Sequence, residues 1–110
     1  MQRINRKYLA CILFSLSILF FFRTVNYKAV WDDERAHFTP GNLNAMDHHI
    51  AAFWDVQSGM YIPVTYSTWG LVKKVASSNG FNPGPFHLLN VITHGLNAVL
   101  LFYFLLVLFK

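Results

Sequence analysis

Two long apolar runs bracket a mixed middle section. The first, YLACILFSLSILFFF, covers residues 8–22 and carries no charge. Adding the following RTVN brings it close to the ~20 residues needed to cross a ~30 Å hydrocarbon core. Arg23 would then reach out to the headgroups. The second, FHLLNVITHGLNAVLLFYFLLVLF, covers residues 86–109. At ~1.5 Å per residue it reaches roughly 36 Å, enough to span with some tilt. Its start is well marked: Pro83-Gly84 makes a turn, and Pro85 suits a first helical turn, where its missing N–H is no loss.

The middle section has helical periodicity of its own. In NLNAMDHHIAAFWDVQSG, the apolar Leu43, Met46, Ile50, Phe53 and Trp54 recur at steps of three and four. Thr39-Pro40 or Asn42 starts this helix and Ser58-Gly59 stops it. In PVTYSTWGLVKKVASSNG, Trp69, Val72 and Ala76 share a face, with Leu71 and Val75 beside it and Lys73 and Lys74 near the opposite edge. That pattern suits a helix lying on a membrane surface, or one packed on other protein. The pattern therefore predicts an all-α membrane protein. Two transmembrane helices are joined by an extracytoplasmic loop with one or two amphipathic helices.

Charge orients this arrangement. Arg3, Arg6 and Lys7 favour a cytoplasmic N-terminus, and Lys110 a cytoplasmic end for the second span. The expected organisation is a cytoplasmic segment 1–7, a first span 8–26, an extracytoplasmic loop 27–85 and a second span 86–109. The membrane is the inner membrane of a bacterium or that of the endoplasmic reticulum. A rival reading takes the first run as a signal peptide. Cleavage wants small residues one and three positions before the cut. In RTVNYKAVW, Ala29 has Tyr27 two positions before it.

Composition agrees. Of 110 residues, 55% are hydrophobic and 13% charged, too apolar for a soluble chain this short to hide. Lys and Arg sit in small groups near the membrane flanks, so no nucleic-acid partner is expected. The single cysteine, Cys11, lies in the first span and forms no intramolecular disulfide.

Two polar features interrupt the apolar pattern. His87, Asn90, His94 and Asn97 stand at i, i+3, i+7 and i+10, one stripe on the first half of the second span. Polar groups inside a bilayer are costly and face a bundle interior or a wet cavity. The stripe is either hydrogen-bonding glue between helices or part of a polar site. The second feature is VWDDERAHF, which puts Asp32, Asp33 and Glu34 about ten residues beyond the first span, in a chain with five acidic residues. It reads as a solvated flank or as a working site. His37, His48, His49, His87 and His94 show no tight metal-ligand spacing, so no metal site is expected. There is no Gly-rich phosphate loop, G-x-S-x-G or CxxC.

WDDERA, MYIPVTYSTW and FNPGPFHLLNVITHGLNAVLLF, in this order after a membrane helix, resemble the amino-terminal portion of GT-C superfamily membrane glycosyltransferases. The resemblance is to the transmembrane-and-TPR O-mannosyltransferases, their bacterial TPR-containing relatives and glycosyltransferase family 39. The matching positions are Trp31-Asp32-Asp33, Ile62-Pro63-Val64-Thr65, and Asn82-Pro83 with His87, Leu88, Asn90 and His94. They cover about residues 8–109. The resemblance implies a polyprenyl-phosphate sugar donor, which is a substrate and not a cofactor, and a protein or glycan acceptor whose hydroxyl is glycosylated, as in protein O-mannosylation. It implies Asp32 or Asp33 as general base, with Glu34 beside them. A carboxylate within reach takes the proton that the attacking hydroxyl loses. A neighbouring carboxylate and a nearby bilayer raise its pKa toward a useful range. Arg35, His87, Asn90 and His94 are then candidates for substrate binding. Such enzymes have roughly ten or more spans, so the 110-residue chain corresponds to an N-terminal fragment, inactive alone. The alternative is a small two-span scaffold or interaction subunit.

Overall fold

A computed structural model describes residues 5–29, 37–55, 61–76 and 81–109. Among them the fold is all-α, without strands. The order is α1 (Arg6–Phe21), a 3₁₀ segment (Phe22–Asn26), α2 (Pro40–His48), a second 3₁₀ segment (Ile50–Trp54), α3 (Pro63–Ala76) and α4 (Gly84–Leu108). The chain divides into two compact units. One combines Met1–Tyr27 with His87–Lys110; the other is Lys28–Phe86.

The first unit holds both long helices. Asn5 caps α1, its side-chain oxygen accepting from the Lys7 N–H at 3.0 Å, so the helix opens two residues before the apolar run. Counting the 3₁₀ segment, the first helical stretch runs Arg6–Asn26. Both it and α4 are long and apolar enough to cross a membrane. A core helix of a soluble protein passes the same test of length and composition, but is mostly buried. Here only 6% and 11% of the apolar windows are buried. Leu19, Phe20, Leu100 and Val107 all point outward, as side chains solvated by lipid do.

Two hydroxyls of the first helical stretch are satisfied locally. Ser17 Oγ donates to the Leu13 carbonyl at 2.9 Å, and Thr24 Oγ1 to that of Phe21 at 2.7 Å. At Gly95 on α4, an added Cβ would stand 2.9 Å from the Phe14 ring and 3.7 Å from Ile18. Glycine is what lets α1 approach α4 there.

The second unit is built on α2 and α3. Thr39 caps α2, accepting from the Asn42 N–H at 3.3 Å, with Pro40 in the first turn. The single helix expected between Thr39-Pro40 or Asn42 and Ser58-Gly59 is broken, and its expected stop lies outside the described residues. α2 ends at His48, and Ile50–Trp54 continues as 3₁₀. Contacts with α3 account for the break. Phe53 stacks on Tyr66 with centroids 4.3 Å apart, Trp54 Nε1 donates to Ser67 Oγ at 3.0 Å, and Ile50 fills the space over Gly70. Histidine, asparagine and aspartate are also weak helix formers.

The face of α3 differs from expectation in the same way. Its inward line is Pro63, Tyr66 and Gly70, while Leu71 and Val75 are exposed. Lys73, expected near the outer edge, turns toward α2. Its Nζ donates to the Leu43 carbonyl at 3.1 Å and pairs with Asp47. Backbone and carboxylate oxygens outweigh water here because the lysine stem is sheltered between the helices.

Candidate functional site

The acidic cluster expected to do chemistry, Asp32, Asp33 and Glu34, lies outside the described residues, as does Arg35. What the structure places is the ground on either side of it. His37 and Phe38 stand three and four residues beyond Glu34, and both are pinned in the second unit.

His37 Nδ1 lies 3.1 Å from the Tyr66 hydroxyl, a hydrogen bond between residues 29 apart in sequence. Its ring also meets the edge of Trp69 at 5.6 Å. Phe38 sits among three further rings: Trp69 at 5.1 Å, Phe86 at 5.0 Å and Phe81 at 4.6 Å. Tyr66 lies edge-on to Trp69 at 5.7 Å and face-on to Phe53. Edge-to-face and offset pairs at such spacings add stabilisation beyond the area they bury. Tyr66 is 4% exposed, and burial pushes its phenol above the ordinary range.

Residues within or beside three segments singled out in the sequence meet in this cluster, although the acidic residues themselves lie outside the described residues. The acidic segment is followed by His37 and Phe38. The Pro63 segment continues into Tyr66 and Trp69. The Asn82-Pro83 segment is framed by Phe81 and Phe86. Asn82 also shapes the start of α4, its side-chain oxygen accepting from the Gly84 N–H at 2.9 Å. His37 entered the sequence reading only as a conceivable metal ligand, and Tyr66 and Phe81 did not enter as site residues at all. The signal available was that every motif has an aromatic residue immediately beside it.

Among the described residues, no group of three His, Cys, Asp or Glu side chains could hold a metal ion. His48 and His49 are neighbours in space as in sequence, but both are exposed. An open cleft of about 340 Å³ between α2 and α3 is lined by Met46, Asp47, Ile50, Ser67, Gly70 and Lys74.

In the first unit, Asn90, His94 and Asn97 of the polar stripe are exposed. His94 meets the edge of the Phe21 ring at 4.8 Å. His87 is half-buried, and its Nε2 is buried without a hydrogen-bond partner. A separate open groove of about 600 Å³ runs along the first span, lined by Phe14, Ile18, Leu19 and Phe22, with Arg23 and Asn26 at one end. Compared with protein-family models, curated proteins and solved structures, the chain finds no match.

Proposed function

We propose that this chain is the amino-terminal membrane portion of a GT-C-type glycosyltransferase. It transfers a sugar from a polyprenyl-phosphate donor to an acceptor hydroxyl on the extracytoplasmic side of the membrane. The observation that carries this reading is the meeting of residues flanking three separate motifs in one aromatic cluster. Segments that serve one site must be held by one framework. His37 and Phe38 fix the chain only three or four residues beyond Glu34. Asp32 or Asp33 is the general base that accepts the proton of the attacking hydroxyl.

The groove on the first unit supports a lipid-linked substrate. Its apolar walls suit an isoprenoid tail, and Arg23 at its end suits the phosphate. The basic residues Arg3, Arg6 and Lys7 support a cytoplasmic N-terminus, which leaves residues 27–85 outside.

The test is sugar transfer in membranes expressing the whole reading frame that contains this chain. Asp33→Asn, with Asp32→Asn beside it, is expected to abolish transfer at unchanged protein level. Full turnover by both variants would remove the catalytic role of the cluster. One observation favours a second reading, a two-span interaction subunit without catalysis: the polar stripe on α4 stands exposed. A reading frame that carries no further apolar spans, with no transfer detected, would select it.

A further inference from the structure

The cleft between α2 and α3 is lined by none of the residues assigned to sugar transfer. One break in the chain shapes it. α2 stops at His48, and His49 leaves helical geometry at φ −134° and ψ 42°. Ile50 is thereby turned over Gly70, where any larger side chain would collide with it. Met46, which is fully buried, and Ile50 form the floor. On α3, Ser67, Gly70, Leu71 and Lys74 stand at i, i+3, i+4 and i+7, which is one face of a helix. Asp47 and His48 complete the lining from α2. At about 340 Å³ the cleft has room for a small molecule.

The polar groups of the cleft are not all spoken for. Asp47 pairs with Lys73. His48 Nδ1 donates to the Asn44 carbonyl at 3.3 Å. Ser67 Oγ accepts from Trp54 Nε1 at 3.0 Å and keeps its own O–H to give. Lys74 has no acidic or hydrogen-bonding side chain against it among the described residues. With Asp47 and Lys73 cancelling, one positive charge is left uncompensated, beside the apolar Ile50 and Leu71. We propose that the cleft binds a phosphodiester. Its charged oxygens meet the Lys74 ammonium and the Ser67 hydroxyl, and its ester carbons meet Ile50 and Leu71. Three properties select this group. A phosphodiester carries a single negative charge, which matches the one free cation, whereas a phosphomonoester carries nearly two at neutral pH and would be repelled by Asp47. It offers oxygens to donors on different turns of α3, and lysine is an established kind of phosphate ligand. It carries carbon on both sides of its charge, whereas a carboxylate has carbon on one side only. Soluble diesters and membrane phospholipid headgroups both present this chemistry. The inference does not rest on the transferase reading.

The test uses the full chain in maltoside micelles, which contain no phosphate. Dibutyl phosphate is titrated in, and backbone amide chemical shifts are followed. Saturable shifts are expected at Ser67, Gly70, Leu71 and Lys74, with a dissociation constant of about 1 mM. Lys74→Gln should raise that constant about threefold to tenfold at unchanged helicity. Lys28→Gln, at an exposed lysine of the same unit, should leave it unchanged. Transfer to phosphatidylglycerol nanodiscs, without dibutyl phosphate, distinguishes the sources. The same shifts there assign the cleft to a lipid headgroup; shifts that still require dibutyl phosphate assign it to a soluble diester. Four results would each overturn the proposal: no saturable shift in either setting, an equal response to the neutral tributyl phosphate, tighter binding of hexanoate than of dibutyl phosphate, or equal weakening by the two lysine variants.

Discussion

The two units use the same kinds of residue in opposite ways. In Lys28–Phe86, Met46, Phe53 and Tyr66 are 2–4% exposed and turned inward. In the unit with both long helices, Leu19, Phe20 and Phe109 are 74–80% exposed. The difference fits a unit that gathers its rings out of water beside one whose helices are long and apolar enough to cross a membrane. A unit surrounded by water must gather its rings into a core, because apolar area leaves water at roughly 25 cal/mol per Å². A helix in lipid gains little by hiding leucine from lipid and keeps its contacts for small residues and polar groups. Stability in the first case sits in a few buried side chains. In the second it is spread over the whole hydrophobic surface.

The sharpest way to break this comparison is truncation in each unit. Met46→Ala should cost about 2–5 kcal/mol, because it empties the centre of the second unit. Leu19→Ala should stay within about 0.5 kcal/mol, as an exposed position does. Trp31, Trp54 and Trp69 all fall within residues 28–86, so tryptophan fluorescence during urea unfolding reads that unit selectively. Equal shifts in the two variants would mean that the units unfold as one.

Gly70→Val comes next. A Cβ there meets Ile50 Cδ1 at 2.5 Å and the Met46 carbonyl oxygen at 3.2 Å. The isoleucine tip can move but the backbone cannot, so the expected loss is about 1–3 kcal/mol. The same urea midpoint measures it.

The smallest effect sharpens the comparison within the core. Tyr66→Phe keeps the stack on Phe53 and removes the hydrogen bond to His37, a loss of about 0.5–1.5 kcal/mol. Burial raises the Tyr66 pKa in the folded chain, while the unfolded chain titrates at about 10. The folded state therefore holds its proton where the unfolded state releases it. Stability from this group is fully present below pH about 10 and falls as pH rises beyond it. Tyr66→Phe should flatten that part of the alkaline loss in a pH series of urea midpoints.

The two long helices were legible as elements because length and composition decide them locally, though each starts two residues earlier than the apolar runs. The break after His48 and the inward turn of Lys73 were not, because the facing helix decides both. Ile50, Phe53 and Trp54 give up α-helical regularity to meet α3. Lys73 reaches carbonyl and carboxylate oxygens some thirty residues back in sequence. The aromatic cluster beside the three motifs was not legible in the sequence. Nothing in spacing alone says that Phe38 meets Phe81 and Phe86. The acidic residues themselves remain a reading from sequence.

The ring of Phe86 closes the cluster around Phe38, yet Phe86 is also the third residue of α4. During synthesis the core of the second unit is incomplete until the chain has been made up to the threshold of its second long helix. Closing a contact across that much chain is slow compared with forming a helix. Maturation of the cluster is thus timed by the arrival of α4. A substitution that delays formation of the start of α4 would leave Phe38, Trp69 and Phe81 without the Phe86 ring they share, and the defect would be seen in the tryptophan fluorescence of the second unit.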